Sequence, residues 1–235
     1  MIDKRFDLAA AVADISDGAT VLVGGFGAAG SPIELLHALI DQGAKNLTVV
    51  SNNTGSGNVG LAALIGRGRV AKVICSFPRT ANSTVFQDKY RAREIELELV
   101  PQGTLAERLR AGGAGIPAFY TATAAGTRLA EGKETRRFGD REFVLEYGLR
   151  ADFALIKCRQ ADRLGNLVYN KTARNFAPVM AMAAKTTIVQ TASYVEAGGI
   201  DPETVITPGV FVHRIVTVPN PLQESALVAA GASYP

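Results

Sequence analysis

Asp17-Gly18-Ala19-Thr20-Val21-Leu22-Val23-Gly24-Gly25-Phe26-Gly27-Ala28-Ala29-Gly30-Ser31-Pro32 is the stretch from which the rest of the chain is read. It spells turn, strand, glycine turn, helix start. Asp17-Gly18 is a turn pair, and Thr20 to Val23 is a short β-branched and apolar run suited to a buried strand. Gly24, Gly25, Gly27 and Gly30 then let the backbone take positive φ and approach a ligand closely. Ser31, with Glu34 three residues on, forms a capping box around Pro32, and proline is tolerated at a first helical position. Ile33 to Ile40 has helical apolar spacing and stops at Gly43. A helix N-terminus is thereby aimed at whatever the glycine turn cradles, a place suited to negative charge or a developing oxyanion.

Gly25-x-Gly27-x-x-Gly30 also matches the dinucleotide fingerprint. That reading requires an acidic residue closing the next strand, roughly 20 residues on, to hold a ribose. The next strand, Asn46 to Val50, ends instead in Ser51-Asn52-Asn53, where no carboxylate stands. At this point a plain strand-to-helix turn and an anion cradle both remain open.

Composition narrows the field. The 235 residues suit a single domain, 1–235, with a substantial core. Hydrophobic residues make up 47% and charged residues 20%, which excludes a disordered chain. The net charge of +3 comes from basic residues scattered in ones and twos, with no basic run and no aromatic platform, so nucleic-acid binding is a weak reading. Cys75 and Cys158 are far apart and belong to no metal-binding pattern. With only His37 and His213 besides, no metal site is expected, and both cysteines read as buried thiols in a reducing compartment. The N-terminus lacks a signal-peptide core and no apolar run approaches about 18 residues, so the expected protein is cytoplasmic with no membrane partner.

Beyond the opening unit, strands and helices alternate at short spacing. Phe6 to Ile15 predicts an amphipathic helix. Strands are expected at Leu47–Val50, Val70–Cys75 and Ile95–Leu99, and helices at Leu61–Ile65, Thr80–Arg93 and Thr104–Arg110. Ala111–Gly115 and Ala124–Gly126 read as loops, and Gly132–Glu142 as a hairpin tip. Later strands are expected at Phe153–Lys157, Leu167–Tyr169, Thr187–Gln190 and Val210–Val218, with a helix over Pro178–Ala184. The fold class is α/β, a mostly parallel central sheet flanked by helices. Ligands in such sheets bind at the carboxyl ends of strands, where Gly24, Asn52, Ser76 and Gln102 all fall. The tail after Pro219 reads as peripheral.

The run Asp17 to Pro32 resembles the signature of the small (A, or α) subunits of the 3-oxoacid CoA-transferases. Ser51-Asn52-Asn53, Pro101 to Arg108, Ala111 to Phe119 and Ala173-Arg174-Asn175-Phe176 resemble that family in the same order, over about Phe6 to Val218. The resemblance implies that CoA moves between carboxylates through a glutamyl-CoA thioester, a ping-pong scheme of covalent catalysis. The family's glutamate lies on the large (B, or β) subunit in a Ser-Glu-Asn-Gly context. The nearest sequences here, Glu146-Tyr-Gly148 and Gln223-Glu224-Ser225, do not fit. No nucleophile is therefore assigned to this chain, and the expected partner is a separate B subunit, in a heterotetramer of two A with two B. No resident cofactor is expected, since the CoA thioester is a substrate.

This chain's expected share is positioning and electrostatics. Backbone N–H groups of Gly25, Phe26 and Gly27 and the amides of Asn52 and Asn53 are the oxyanion candidates, although an Asx turn would explain either asparagine. The family match gives Gln102 a substrate contact. Ser76-Phe77-Pro78-Arg79 resembles the 3-oxoadipate branch, so Phe77 and Arg79 join the substrate-binding candidates, although a surface position on the next helix would explain the arginine and local backbone bonding the Gln102 amide. 3-Oxoadipate carries a second carboxylate that acetoacetate lacks, and a guanidinium fork matches it. The implied substrates are succinyl-CoA and a 3-oxo acid. Glu107 and Arg108 read as an interface or structural pair, Arg174 and Asn175 as capping or subunit contact. Three rivals stand beside this reading: an acetoacetate-using enzyme, a non-catalytic module binding an acyl or phosphate group, and an isolated oxidoreductase domain.

Overall fold

In β1 (Thr20–Val23), Val21 and Val23 join one apolar cluster and Leu22 the other, so successive residues face opposite sides of a sheet buried on both. The same alternation recurs in Val49 and Val50 and in Ala154, Leu155 and Ile156. The structure, a computed structural model, describes residues 3–80 and 82–235.

In chain order the elements are α1 (Leu8–Val12), β1, α2 (Ile33–Gln42), β2 (Leu47–Asn53), α3 (Gly60–Gly66), β3 (Val70–Phe77), α4 (Val85–Arg91), β4 (Glu96–Leu99), α5 (Gln102–Gly113) and β5 (Ala118–Thr121). There follow β6 (Thr135–Phe138), β7 (Arg141–Tyr147), β8 (Ala151–Asp162), β9 (Leu167–Val168), α6 (Ala177–Ala183), β10 (Ala184–Val195), β11 (Arg214–Thr217) and α7 (Glu224–Ala229). The main sheet has the order β11-β10-β8-β1-β2-β3-β4, all parallel, with β9 antiparallel beside β8. Helices α1 to α4 cover one face and α5 and α6 the other. A smaller antiparallel sheet, β5-β7-β6, is inserted before β8. The chain builds outward from β1 to β4, then returns to lay β8 on the other side of β1. The glycine turn after β1 therefore opens at the point where the winding reverses.

Helix α2 shows how the sequence sets such an element. Ile33, Leu35, Leu36, Leu39 and Ile40 are buried, and each contributes about 1.5–3 kcal/mol by leaving water. Gly43 closes it in the left-handed region, φ 99°, its N–H reaching the Leu39 carbonyl.

Several local expectations are corrected. Helix α1 is shorter than Phe6–Ile15 because Asp7 caps it, its carboxylate accepting from Ala10 N–H at 2.7 Å. The capping box does not form. Pro32 is the N-cap with no side-chain cap, while Glu34 accepts from the Leu222 N–H at 2.6 Å and from the Gln190 amide. The helix expected from Thr80 begins at Val85, since Thr80 is drawn to Ser83 in a bridge and to the Gly55 carbonyl; Ala81 lies outside the described residues. Ala111–Gly115 is no loop: α5 continues to Gly113 because its glycines are points of contact. A Cβ on Gly112 would lie 2.1 Å from the Leu149 carbonyl oxygen, and one on Gly113 2.7 Å from Met182 Cβ. Strand β11 is confined to Arg214–Thr217, preceded by a 3₁₀ turn at Gly209–Phe211. The tail is not peripheral either. Glu224 is 3% exposed, and the residues after Pro219 meet the loop that follows β2 and the first turn of α2.

Candidate functional site

Strand geometry delivers the site. The carboxyl ends of β2 and β3 and the first turn of α5 converge with the glycine turn on one cleft of about 510 Å³. Its walls are Phe26, Gly27, Asn52, Asn53, Ser56, Ser76, Phe77, Arg79, Thr80 and Gln102. Seven of the eight residues singled out from sequence thus share one wall system, and Gly25 lies just beneath it. Gly24, Gly25, Gly27, Ser31, Ser51, Asn52, Asn53, Gly55 and Glu224 enclose a second, much smaller void of about 10 Å³, room for roughly one water.

Hydrogen bonding separates committed groups from available ones. Gly25 N–H donates to Asn175 Oδ1 at 3.2 Å, and Phe26 exchanges both backbone bonds with Ala29 at 3.0 and 3.1 Å. Only the Gly27 N–H of these three has no acceptor among the described residues. Asn53 forms the Asx turn anticipated as its structural alternative, accepting from Gly55 N–H at 2.8 Å, and its Nδ2 donates to the Gly27 carbonyl at 3.3 Å. Asn53 therefore holds the glycine turn. Asn52 accepts from Gln102 Nε2 at 2.9 Å, which fixes both amides and leaves the Asn52 Nδ2 and Gln102 Oε1 without protein partners among the described residues.

The Ser76 hydroxyl is closed off from water and has no hydrogen-bond partner among the described residues. Such a group costs about 1–3 kcal/mol while unmet. Arg79 is exposed and, among the described residues, has no carboxylate partner. Phe26 and Phe77, 49% and 62% exposed, give the cleft apolar edges. The ten lining residues offer donors and one cation but no carboxylate, thiol or imidazole. The cleft can bind an anion and steady a developing oxyanion. Among the ten, none is a glutamate that could form an acyl-enzyme thioester.

Sequence reasoning missed two contributors. Asn175 spans the winding reversal: besides Gly25 it accepts from Phe176 N–H at 2.7 Å, and its Nδ2 donates to the Ala29 and Ala173 carbonyls at 3.1 and 2.8 Å. Gly30, φ 80°, makes room for it, since a Cβ there would lie 2.4 Å from the Ala173 oxygen. The signal was the adjacency of Asn175 to the helix Ala177–Ala183, which pointed to capping rather than to a brace. Glu224 is the other. Burial pushes its pKa up, against the Ser31 hydroxyl and the Ser56 N–H and hydroxyl, which favour the carboxylate.

Elsewhere, Glu107 and Arg108 do not pair with each other. Arg108 binds Glu98 at 2.7 Å and the Tyr147 carbonyl at 3.1 Å, while Glu107 binds Arg110 at 2.6 Å. Cys75 and Cys158 are buried free thiols, each pushed up to about 12 by burial. Among the described residues no cluster of metal-binding side chains occurs, and no helix is long and apolar enough to cross a membrane.

Comparison with known proteins adds to this geometry. A family model described as Coenzyme A transferase matches residues 6–217. The A subunit of a 3-oxoadipate CoA-transferase from Pseudomonas putida is 58% identical over 219 residues, 93% of this chain and 95% of that protein. The A subunit of a succinyl-CoA:3-ketoacid coenzyme A transferase from Xanthomonas campestris is 51% identical over 220 residues, 93% of this chain and 90% of that protein. Among solved structures, an acyl-CoA transferase from Escherichia coli O157:H7, in a thioester complex with CoA, superposes with a TM-score of 0.84 over 94% of this chain at 24% identity. This chain spans 50% of that protein's length, and the likeness is one of fold.

Proposed function

This chain belongs to the coenzyme A transferase family, and we propose that it is the A subunit of a succinyl-CoA:3-oxoadipate CoA-transferase. The reaction moves CoA from succinyl-CoA to 3-oxoadipate, a step in aromatic-compound breakdown. A glutamate of the separate B subunit first attacks the thioester carbonyl and expels the CoA thiolate, leaving a mixed anhydride. The thiolate then attacks the glutamyl carbonyl, forming the glutamyl-CoA thioester and releasing succinate. The acceptor carboxylate runs the same two steps in reverse. Each attack passes through a tetrahedral oxyanion, for which the Gly27 N–H and the Asn52 amide are the fixed donors. Asn53, Gly25 and Phe26 hold the turn that presents them. Gln102 orients Asn52 and offers its own amide to the substrate, while Phe26 and Phe77 keep water from the acyl group. No resident cofactor or metal is needed, and assembly is two A with two B in the cytoplasm.

One observation carries the choice of acid: Arg79 lines the cleft without a counter-ion among the described residues. It reads the terminal carboxylate of 3-oxoadipate. In the assembled enzyme, Arg79→Met raises KM for 3-oxoadipate roughly 10- to 100-fold, the equivalent of one lost charge-assisted contact, and leaves KM for acetoacetate nearly unchanged. Equal effects on the two acids would remove the assignment and favour the second reading, a succinyl-CoA:3-ketoacid enzyme, which the 51% identical relative supports. A chain that purifies from its own cells without a second polypeptide would leave the chemistry without a nucleophile and point to a binding module.

A further inference from the structure

The residues after β11 lie beyond the stretch matched by the family model, yet they are fastened to the site at several points. Glu34 Oε1 accepts from Leu222 N–H at 2.6 Å, and Lys157 Nζ donates to the Leu222 carbonyl at 3.0 Å. These two bonds aim the start of α7 beneath the cleft. Glu224, the first residue of α7, is almost wholly buried and accepts from Ser56 N–H at 2.9 Å. Val228, one turn later, packs on Gly57, where an added Cβ would come within 3.0 Å of it. Tyr234 N–H then donates to the Asn58 carbonyl at 2.8 Å, and Ser233 bridges to Asn58. The loop after β2 is therefore held at three successive residues by one segment.

That loop carries the cleft with it. Asn52 and Asn53 stand at its root. Thr54 Oγ1 donates to the Pro78 carbonyl at 2.9 Å, Thr80 Oγ1 to the Gly55 carbonyl at 3.0 Å, and Gly57 N–H to the Asn82 carbonyl at 3.0 Å. These bonds tie it to the loop bearing Phe77 and Arg79. Glu224 also borders the small void together with Gly24, Gly25, Gly27 and Ser31, so it faces the underside of the glycine turn across that void. A buried carboxylate there carries a desolvation cost that an apolar residue would avoid. Glu224 offsets it by accepting from the Ser56 N–H on the loop after β2, while it faces Ser31 of the glycine turn across the small void.

We propose that Glu224 is a positioning residue: with the C-terminal strap it sets the glycine turn, the Asn52–Asn58 loop and the Arg79 loop relative to one another. Its catalytic consequence rests on the transferase reading above; the positioning itself does not. The carboxylate acts as an acceptor and not as a nucleophile or a charge, since it sits under the cleft and is absent from its walls.

The test compares Glu224→Ala and Glu224→Gln in the complex of both polypeptides, by steady-state kinetics and by hydrogen–deuterium exchange. Glutamine keeps an oxygen for Ser56 N–H and presents an amide to the Ser31 oxygen. Glu224→Ala is expected to speed exchange in peptides covering 52–58 and 76–80, with 141–147 unchanged, and to lower kcat about 10- to 100-fold, as misplaced donors do. Glu224→Gln is expected to keep both near wild type. Unchanged exchange in Glu224→Ala overturns the proposal, and so does faster exchange spread over the whole chain. A glutamine variant as slow as the alanine one, with its loops still protected, also overturns it by making the charge essential. If the wild-type complex transfers no CoA to any 3-oxo acid, the transferase reading fails, while the exchange comparison still decides whether Glu224 positions the loops.

Discussion

Replacing Asn175 by alanine removes four hydrogen bonds that no neighbouring group can remake. The Gly25 N–H, donated to Asn175 Oδ1 at 3.2 Å, lies in a buried residue and would be left unmet, at about 1–3 kcal/mol. The lost bonds to Phe176 N–H at 2.7 Å and to the Ala29 and Ala173 carbonyls at 3.1 and 2.8 Å are partly replaced by water and add about 0.5–1.5 kcal/mol each at most. Alanine must also hold a positive φ, 29°, that asparagine tolerates better. The sum is about 3–5 kcal/mol, which for a domain of this size lowers Tm by roughly 10 °C. Thermal unfolding of the assembled enzyme measures it, and kcat at a permissive temperature should fall at least about 10-fold as the glycine turn relaxes. Asn175→Asp keeps the acceptor for Gly25 and Phe176 but turns oxygen toward two carbonyls, so it should lie between wild type and alanine. An alanine variant within about 2 °C of wild type and fully active would refute the view that Asn175 braces the turn.

Two further outcomes follow from side-chain surroundings. Gly112→Ala should destabilise by about 3 kcal/mol or more, because the new methyl meets Leu149 backbone at 2.1 and 2.6 Å, while Gly103→Ala on the same helix, with open space around it, should stabilise by up to about 1 kcal/mol; comparable Tm values for the two would sink this account. His37 and His213 each accept a backbone N–H, from Gly60 and Thr187 at 3.0 Å, and burial holds both below the usual histidine value of 6.5. The unfolded chain then binds more protons below pH 6.5, so stability is full above that value and declines as pH falls through it toward the lower folded pKa. Asp14 and Asp152, lowered from 3.8 by hydrogen bonds to Arg214 and Lys185, contribute stability that is lost only at more acid pH. Tm followed against pH in wild type and in a His37→Gln, His213→Asn double variant should show the histidine decline disappear in the variant, and its persistence would assign it elsewhere.

Much of the site was legible because its parts lie where strands end. Asn52, Phe77 and Gln102 each follow a recognisable apolar run, and parallel packing brings such positions to one edge whatever the detail of the turns. The fold class was legible for the same reason: periodicity records which side of an element is buried. The division of labour within the site was not. Asn52 and Asn53 are identical in type and adjacent, yet one is steadied by Gln102 with donors to spare and the other is spent on Gly55 and Gly27. Local patterns misled where a distant segment competed for the same atoms. Ser31 and Glu34 match a capping box, but Glu34 is taken by Gln190 and Leu222, and Ser31 faces Glu224.

The sequence by itself determined the alternation of strands and helices, the positive φ of Gly25, Gly27 and Gly30 (though Gly24, expected with them, stays outside that region) and the absence of the Ser-Glu-Asn-Gly nucleophile context, since these depend on neighbours within a few residues. Only the tertiary structure decided that Asn175, 150 residues from Gly25, braces its N–H, and that Glu224, 168 residues from Ser56, holds the loop behind the cleft. Those contacts arise when β8 is laid beside β1 and the tail crosses back over both halves of the sheet. No spacing rule encodes such pairings, because the free energy that selects them is the burial of the whole sheet rather than any local preference.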